Sequence, residues 1–206
     1  MKTYDLIVVG GGFSGVCAAI AAARGGASVL LCEASNALGG APATCLVNPF
    51  MPYTTTVDGE LKFLSRGIFE EIANALVGED TVKRKKQATC FDEEQLKLIL
   101  NRMTAEAGVE LLFHTTLFSV ERKENKIESL TFATVAGPLT LSAKYYVDAT
   151  GDGTLSKLAG CPFTLGREKD HLCQPMTLCF RLAGVDKAVA LPSGKKICCS
   201  TDCKCR

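Results

Sequence analysis

The 206-residue sequence has almost no surplus of charge: 23 Lys and Arg stand against 22 Asp and Glu, a formal net charge of +1. No basic field points to a nucleic acid, and no acidic tail selects a partner. Apolar runs are short as well. The densest, the Ala-rich Val16–Ala23, falls well below the ~20 residues that span a bilayer. Met1-Lys2 and Leu6–Val9 resemble the start of a signal peptide, but Asp5 interrupts it and Gly10-Gly11-Gly12 ends it too early. A soluble protein is expected, with neither membrane nor nucleic acid among its partners. Histidine is scarce: of the two, His114 and His171, neither has an acid or nucleophile at a telling spacing. Both therefore read as structural, and no catalytic acid or base is assigned. The eleven cysteines lack the even count and regular spacing of a secreted disulfide scaffold, so a reducing cytoplasm with mostly free thiols is expected.

What remains is an ordinary globular composition, 47% hydrophobic and 22% charged, enough for one large domain or one and a half smaller ones. No internal repeat is present. The apolar run Tyr4–Val9 closes on three glycines and suits a buried parallel strand. Ser14–Arg24, rich in Ala and free of Pro, predicts a helix stopped by Gly25-Gly26, and Ser28–Cys32 a second strand with Glu33 at its end. Ala34–Asp58, with its glycines, prolines and threonines, predicts a long irregular excursion. Apolar residues at Leu61, Leu64, Ile68, Ile72 and Leu76 predict an amphipathic helix over 61–76, and Asp92 with Gln95 starts another that runs to Ala107. Glu110–Phe113 reads as a parallel strand. Leu117–Arg122, Lys126–Thr134 and Pro138–Leu141 read as an antiparallel meander, Lys144–Asp148 as a returning strand and Met176–Leu182 as a last one. The basic run Lys83–Lys86 is expected to be a solvated turn between helices. The predicted class is α/β: a Rossmann-like parallel sheet with an antiparallel β-meander in a domain over 1–160, and the start of a substrate domain over 161–206.

Gly10-x-Gly12-x-x-Gly15 between a strand and a helix has a physical reason at each glycine. The first permits the tight turn, the second lets backbone approach a pyrophosphate, and the third lets helix and strand pack closely. Phe13 and Ser14 open the helix, whose amino end favours anions. Glu33, eighteen residues after Gly15, can accept hydrogen bonds from both hydroxyls of an adenosine ribose and repels a 2′-phosphate. These features specify a dinucleotide other than NADP.

With Ala19, Ala23, Gly26, Val29 and the doublet Gly39-Gly40 at matching spacing, the chain resembles the FAD-dependent oxidoreductases. In that family the doublet lines the route from pyrophosphate to flavin. Asp148-Ala149-Thr150-Gly151-Asp152-Gly153-Thr154-Leu155-Ser156 resembles the strand end by which flavoproteins approach the cofactor again, and Gly151-Asp152-Gly153-x-x-Ser156 is similar to the Asp-Gly motif of flavin hydroxylases. Asp152 either hydrogen-bonds a polyol or caps the next helix. Gly39 through Pro52, Gln174-Pro175-Met176-Thr177 and Arg181–Val185 are similar to a bacterial family of these enzymes related to the flavin subunit of heterodisulfide reductase. The resemblance covers residues 1 to about 186. It implies FAD held by Gly10, Gly12, Phe13, Ser14, Gly15 and Glu33, with Gly39, Gly40, Thr150, Gly151 and Asp152 nearer the flavin.

Two departures matter. Disulfide reductases of this superfamily carry a cysteine pair soon after the doublet, whereas Cys45 is alone, so a thiol–disulfide mechanism there is not expected. Cys45 is either a redox or ligand group near the flavin or a buried small hydrophobe. Cys198, Cys199, Cys203 and Cys205 match neither zinc nor ferredoxin spacing, so no metal is assigned, and the abrupt tail suggests a chain cut short relative to the family. The function expected is hydride or electron transfer through FAD to an unassigned small molecule, with a redox partner protein as a further candidate. Two alternatives stand beside it: a non-catalytic nucleotide-binding fragment, and an electron-transfer subunit working with iron–sulfur partners.

Overall fold

A computed structural model describes residues 3–78, 89–180 and 183–184. The Lys83–Lys86 run, Arg181-Leu182, Val185 and the cysteines from Cys198 to Cys205 lie outside the described residues. In chain order the elements are β1 (Tyr4–Val9), α1 (Phe13–Arg24), β2 (Val29–Cys32), α2 (Ala41–Thr44), β3 (Pro49–Phe50), β4 (Thr54–Val57), β5 (Glu60–Phe63), α3 (Ile68–Val77), β6 (Thr89–Cys90), α4 (Glu93–Glu106), β7 (Glu110–Leu112), β8 (Thr116–Lys123), β9 (Lys126–Thr134), β10 (Gly137–Leu141), β11 (Ala143–Asp148) and α5 (Thr154–Leu158). They divide into two units, Met1–Gly40 with Leu100–Thr177 and Ala41–Ile99 with Leu178–Arg206.

The first unit is built on a parallel sheet in the order β11-β1-β2-β7. Its central strands read as unbroken apolar runs because both faces are covered. Helix α1 packs on β1, β2 and β11, burying Val16, Ala19 and Ile20 at helical spacing. On the other face Ile7 and Val9 of β1 and Leu30 and Cys32 of β2 share a core with Leu117, Leu130 and Phe132 of the meander and Leu155 of α5. The meander β10-β9-β8 forms as expected. Helix α4 ends in this unit with the Schellman pattern: Gly108 N–H donates to Ala105 O and Val109 N–H to Thr104 O, at 2.9 and 3.2 Å, with Gly108 at φ 77.

The second unit corrects two expectations. The stretch expected to be irregular contains α2, β3 and β4, and β4 pairs with β5 in a hairpin. Its loop is Asp58-Gly59, both at positive φ (54 and 82), as a two-residue type I′ turn requires. Leu61 is consequently in a strand, and helix α3 starts only at Ile68, after Gly67. The 3–4 spacing from Leu61 to Leu76 runs across a hairpin and a helix, and Leu64 is exposed. Phe50, Tyr53, Phe69 and Phe91 cluster edge to face or tilted, with Phe50 and Phe91 centroids 4.3 Å apart. At the start of α4, Asp92 Oδ1 accepts the N–H groups of Glu94 and Gln95 at 2.8 and 3.0 Å, as the cap signature predicted.

Two more corrections concern single segments. Met176–Phe180 form no strand and stand in the open: Met176 and Phe180 have no apolar layer over them, and an extended apolar segment becomes a strand only where an edge can pair with it. Cys45 is exposed rather than a buried hydrophobe, because it follows the single turn α2 and precedes Leu46 at φ 58. No helix among the described residues is long and apolar enough to cross a membrane.

Candidate functional site

Parallel pairing carries β1, β2 and β11 to the same edge of the sheet, and the segments singled out in the sequence leave from those carboxyl ends. Strand β1 lies between β2 and β11, so the glycine loop sits where the connections turn to opposite sides, the crevice in which α/β sheets bind ligands.

Gly10 continues the sheet through its N–H to Cys32 O at 2.8 Å and turns at φ 102; a Cβ there would meet Ala149 O at 2.3 Å. A Cβ on Gly15 would meet Gly10 O at 1.9 Å. Both glycines are thus required by the fold. Gly12 differs: at φ −67 and ψ 179 it adopts ordinary extended backbone, and the nearest atom to an added Cβ is Gly40 Cα at 4.0 Å. The amino end of α1, formed by Phe13, Ser14 and Gly15, has no side-chain cap and no acid in its first turn, while Arg24 lies in its last. Its partial positive charge is therefore not offset within the helix.

Glu33 draws the loop toward β2. Its Oε2 accepts Gly11 N–H at 2.6 Å and its Oε1 accepts Ser35 N–H at 2.7 Å. The doublet approaches from the other side: Gly39 N–H donates to Gly11 O at 2.8 Å, Gly39 bridges to Gly12, and Gly40 takes φ 58. Gly11, which the motif leaves open, therefore joins three segments. A Cβ there would lie 2.7 Å from Leu38 Cδ2 and 3.0 Å from Glu33 Oε2. Only its place in a run of three glycines signalled this.

At the end of β11, Asp148 Oδ1 accepts the Thr150 N–H and hydroxyl at 3.1 and 2.8 Å, and its Oδ2 accepts Ser156 N–H at 2.8 Å. Thr150 Oγ1 in turn accepts Thr154 N–H at 2.9 Å. Partial burial raises the Asp148 carboxyl pKa, but the bonds from Ser156 and Thr150 outweigh it and hold the group below the usual carboxylate range. Asp152 is exposed and is not the cap: α5 begins after Gly153 with no adjacent side-chain cap, its N–H groups being taken by Thr150 and Asp148. The sequence places Asp148 at the head of the segment that resembles the flavoprotein strand end, but does not signal these bonds.

Beside Glu33 the exits of β2 and β7 are tied, His114 N–H to Ser35 O at 3.1 Å and Thr115 N–H to Glu33 O at 3.0 Å. A cleft of about 330 Å³ lies there, lined by Leu112–Thr115 and Thr134–Leu139. His114 is exposed at φ 51 and His171 sits in a turn where its N–H bonds Arg167 O. The thiol of Cys32, the last residue of β2, is buried, which pushes its pKa up to about 12.

The FAD dependent oxidoreductase family model matches residues 5–204. The chain belongs to the FAD dependent oxidoreductase family. Its cofactor is accordingly FAD. It is 28% identical over 186 residues to an uncharacterized protein in the nifH2 5′ region of Methanosarcina barkeri, covering 82% of this chain and 95% of that one. Among solved structures, THI4 of Thermovibrio ammonificans shares the fold with a TM-score of 0.56 at 23% identity, over 81% of this chain and 67% of that one. A geranylgeranyl bacteriochlorophyll reductase-like protein of Thermoplasma acidophilum does so with a TM-score of 0.56 at 19% identity, over 84% of this chain. The chain spans 44% of that protein's length, and 33% of AlpK, another solved relative. The likeness to the THI4 and reductase-like structures is one of fold.

Proposed function

We propose that this chain binds FAD across the carboxyl edge of its parallel sheet and serves two-electron redox chemistry on a small-molecule substrate. FAD supplies the electron-transfer chemistry, and the protein supplies binding and orientation. The residues fit the group. The amino end of α1, formed by Phe13, Ser14 and Gly15, has no acid in its first turn and favours the pyrophosphate. Glu33 gives one acceptor position per oxygen to Gly11 and Ser35, leaving about two for ribose hydroxyls, and its charge disfavours a 2′-phosphate. Gly39, Gly40, Thr150, Gly151 and Asp152 are assigned to the flavin side. A reducing cytoplasm belongs to the same proposal, supported by the odd count and irregular spacing of the eleven cysteines.

One observation carries the proposal: an added Cβ on Gly12, unlike one on Gly10, Gly11 or Gly15, would meet no protein atom closer than Gly40 Cα at 4.0 Å, an ordinary contact distance. The fold tolerates alanine there, whereas a pyrophosphate at backbone distance does not. Gly12→Ala is expected to melt like the wild type and to bind FAD at least about tenfold more weakly by fluorescence titration, roughly 1.4 kcal/mol. Wild-type affinity in Gly12→Ala would overturn the assignment.

A further inference from the structure

The loop after β11 places two acids near the end of the sheet, and family resemblance draws attention to Asp152. The hydrogen bonds single out the other. Asp148 makes one connected set: Oδ1 holds the N–H and hydroxyl of Thr150, Oδ2 holds Ser156 N–H eight residues on, and the Thr150 hydroxyl holds Thr154 N–H. Between these anchors lie Gly151 at φ 80 and Gly153 at φ 68, with nothing of the protein within 4 Å of either would-be Cβ. Two glycines in left-handed conformations are costly to order, since glycine loses the most freedom on folding. Gly151-Asp152-Gly153 is held by these bonds at its two ends and by the first turn of α5, where Lys157 N–H donates to Gly153 O at 2.8 Å.

We propose that Asp148 is a positioning residue for the cofactor, fixing the Thr150–Gly153 loop in the shape that meets the flavin side of FAD without touching FAD itself. This rests on the FAD assignment made above. The bonding also fixes the polarity of Thr150. Its hydroxyl proton is committed to Asp148, so toward a cofactor hydroxyl Thr150 can only accept. An ADP group held by Gly12 and Glu33 makes no use of this loop, and a ligand carrying the ribityl–flavin half does. Asp148 therefore contributes to the preference for FAD over ADP.

The test is paired titration of FAD and ADP against the wild type, Asp148→Ala, Thr150→Val and Thr150→Ser. In Asp148→Ala and Thr150→Val, FAD affinity is expected to fall about tenfold or more while ADP affinity stays within about twofold, so the FAD-to-ADP ratio collapses. Thr150→Ser keeps the hydroxyl and should restore the ratio. Asp148→Ala is the variant at greater risk of misfolding, so the near-isosteric Asp148→Asn is titrated beside it and decides in that case. Equal loss of both ligands would show a purely structural role and overturn the proposal, as would an unchanged ratio. Wild-type protein that binds neither ligand would instead overturn the FAD assignment on which it rests.

Discussion

Gly15 lies so close to Gly10 that a single added methyl would meet the Gly10 carbonyl oxygen at 1.9 Å. Neither partner can yield, because the obstacle is backbone at the start of α1 and the end of β1. Gly15→Ala must therefore separate helix from strand, and Gly10→Ala adds strain at φ 102 to a clash with Ala149 O. Each is expected to destabilise the protein by about 3 kcal/mol or more, at the upper end of overpacking. Urea denaturation measures it, and near-wild-type midpoints would contradict the packing. Set beside Gly12→Ala, the three substitutions separate glycines required by the fold from one available to a ligand.

Legibility along the chain followed periodicity. β1, α1 and β2 were readable because a strand buried on both faces and an Ala-rich helix ending in glycine leave continuous marks. The meander is readable because Lys123-Glu124-Asn125 and Ala136-Gly137-Pro138 separate runs rich in β-branched and aromatic residues, although the second turn itself is Val135-Ala136. The 61–76 segment misled because Leu61 and Leu64 happen to extend the spacing of α3, while Asp58-Gly59, the stronger local signal, announced a hairpin. At the site, motif spacing identifies Gly10 and Gly15, the glycines packed against backbone. It does not identify Gly11, which hydrogen-bonds Glu33 and Gly39 far along the chain, or the bonds by which Asp148 holds its own loop.

Tyr53 offers a second test, confined to the second unit. It is 7% exposed, and among the described residues its hydroxyl has no hydrogen-bond partner, while Phe69 packs on its ring at 5.2 Å. A buried hydroxyl without a partner costs about 1–3 kcal/mol of desolvation. Tyr53→Phe keeps the ring and removes the cost, so the thermal midpoint should rise, by about 1 kcal/mol of stability. A lower midpoint would show that the hydroxyl has a bonding role in the native protein.

The Asp148 network also sets an acid limit. Its folded pKa lies below that of an ordinary carboxylate, so the native state favours the ionised form more than the unfolded chain does. That contribution is complete above an unfolded pKa of about 3.9 and disappears as pH falls through the lower folded value. Asp5, held by Lys144 and Ser28, has a lowered pKa too and adds to the acid loss in the same window. Comparison with Asp148→Asn isolates the Asp148 part. Wild type should exceed Asp148→Asn by a constant margin in thermal midpoint above about pH 5, and the margin should shrink progressively below about pH 4. A margin unchanged down to pH 2 would mean that Ser156 and Thr150 do not bind the carboxylate in its charged form, and the clamp on the Thr150–Gly153 loop would then need another source.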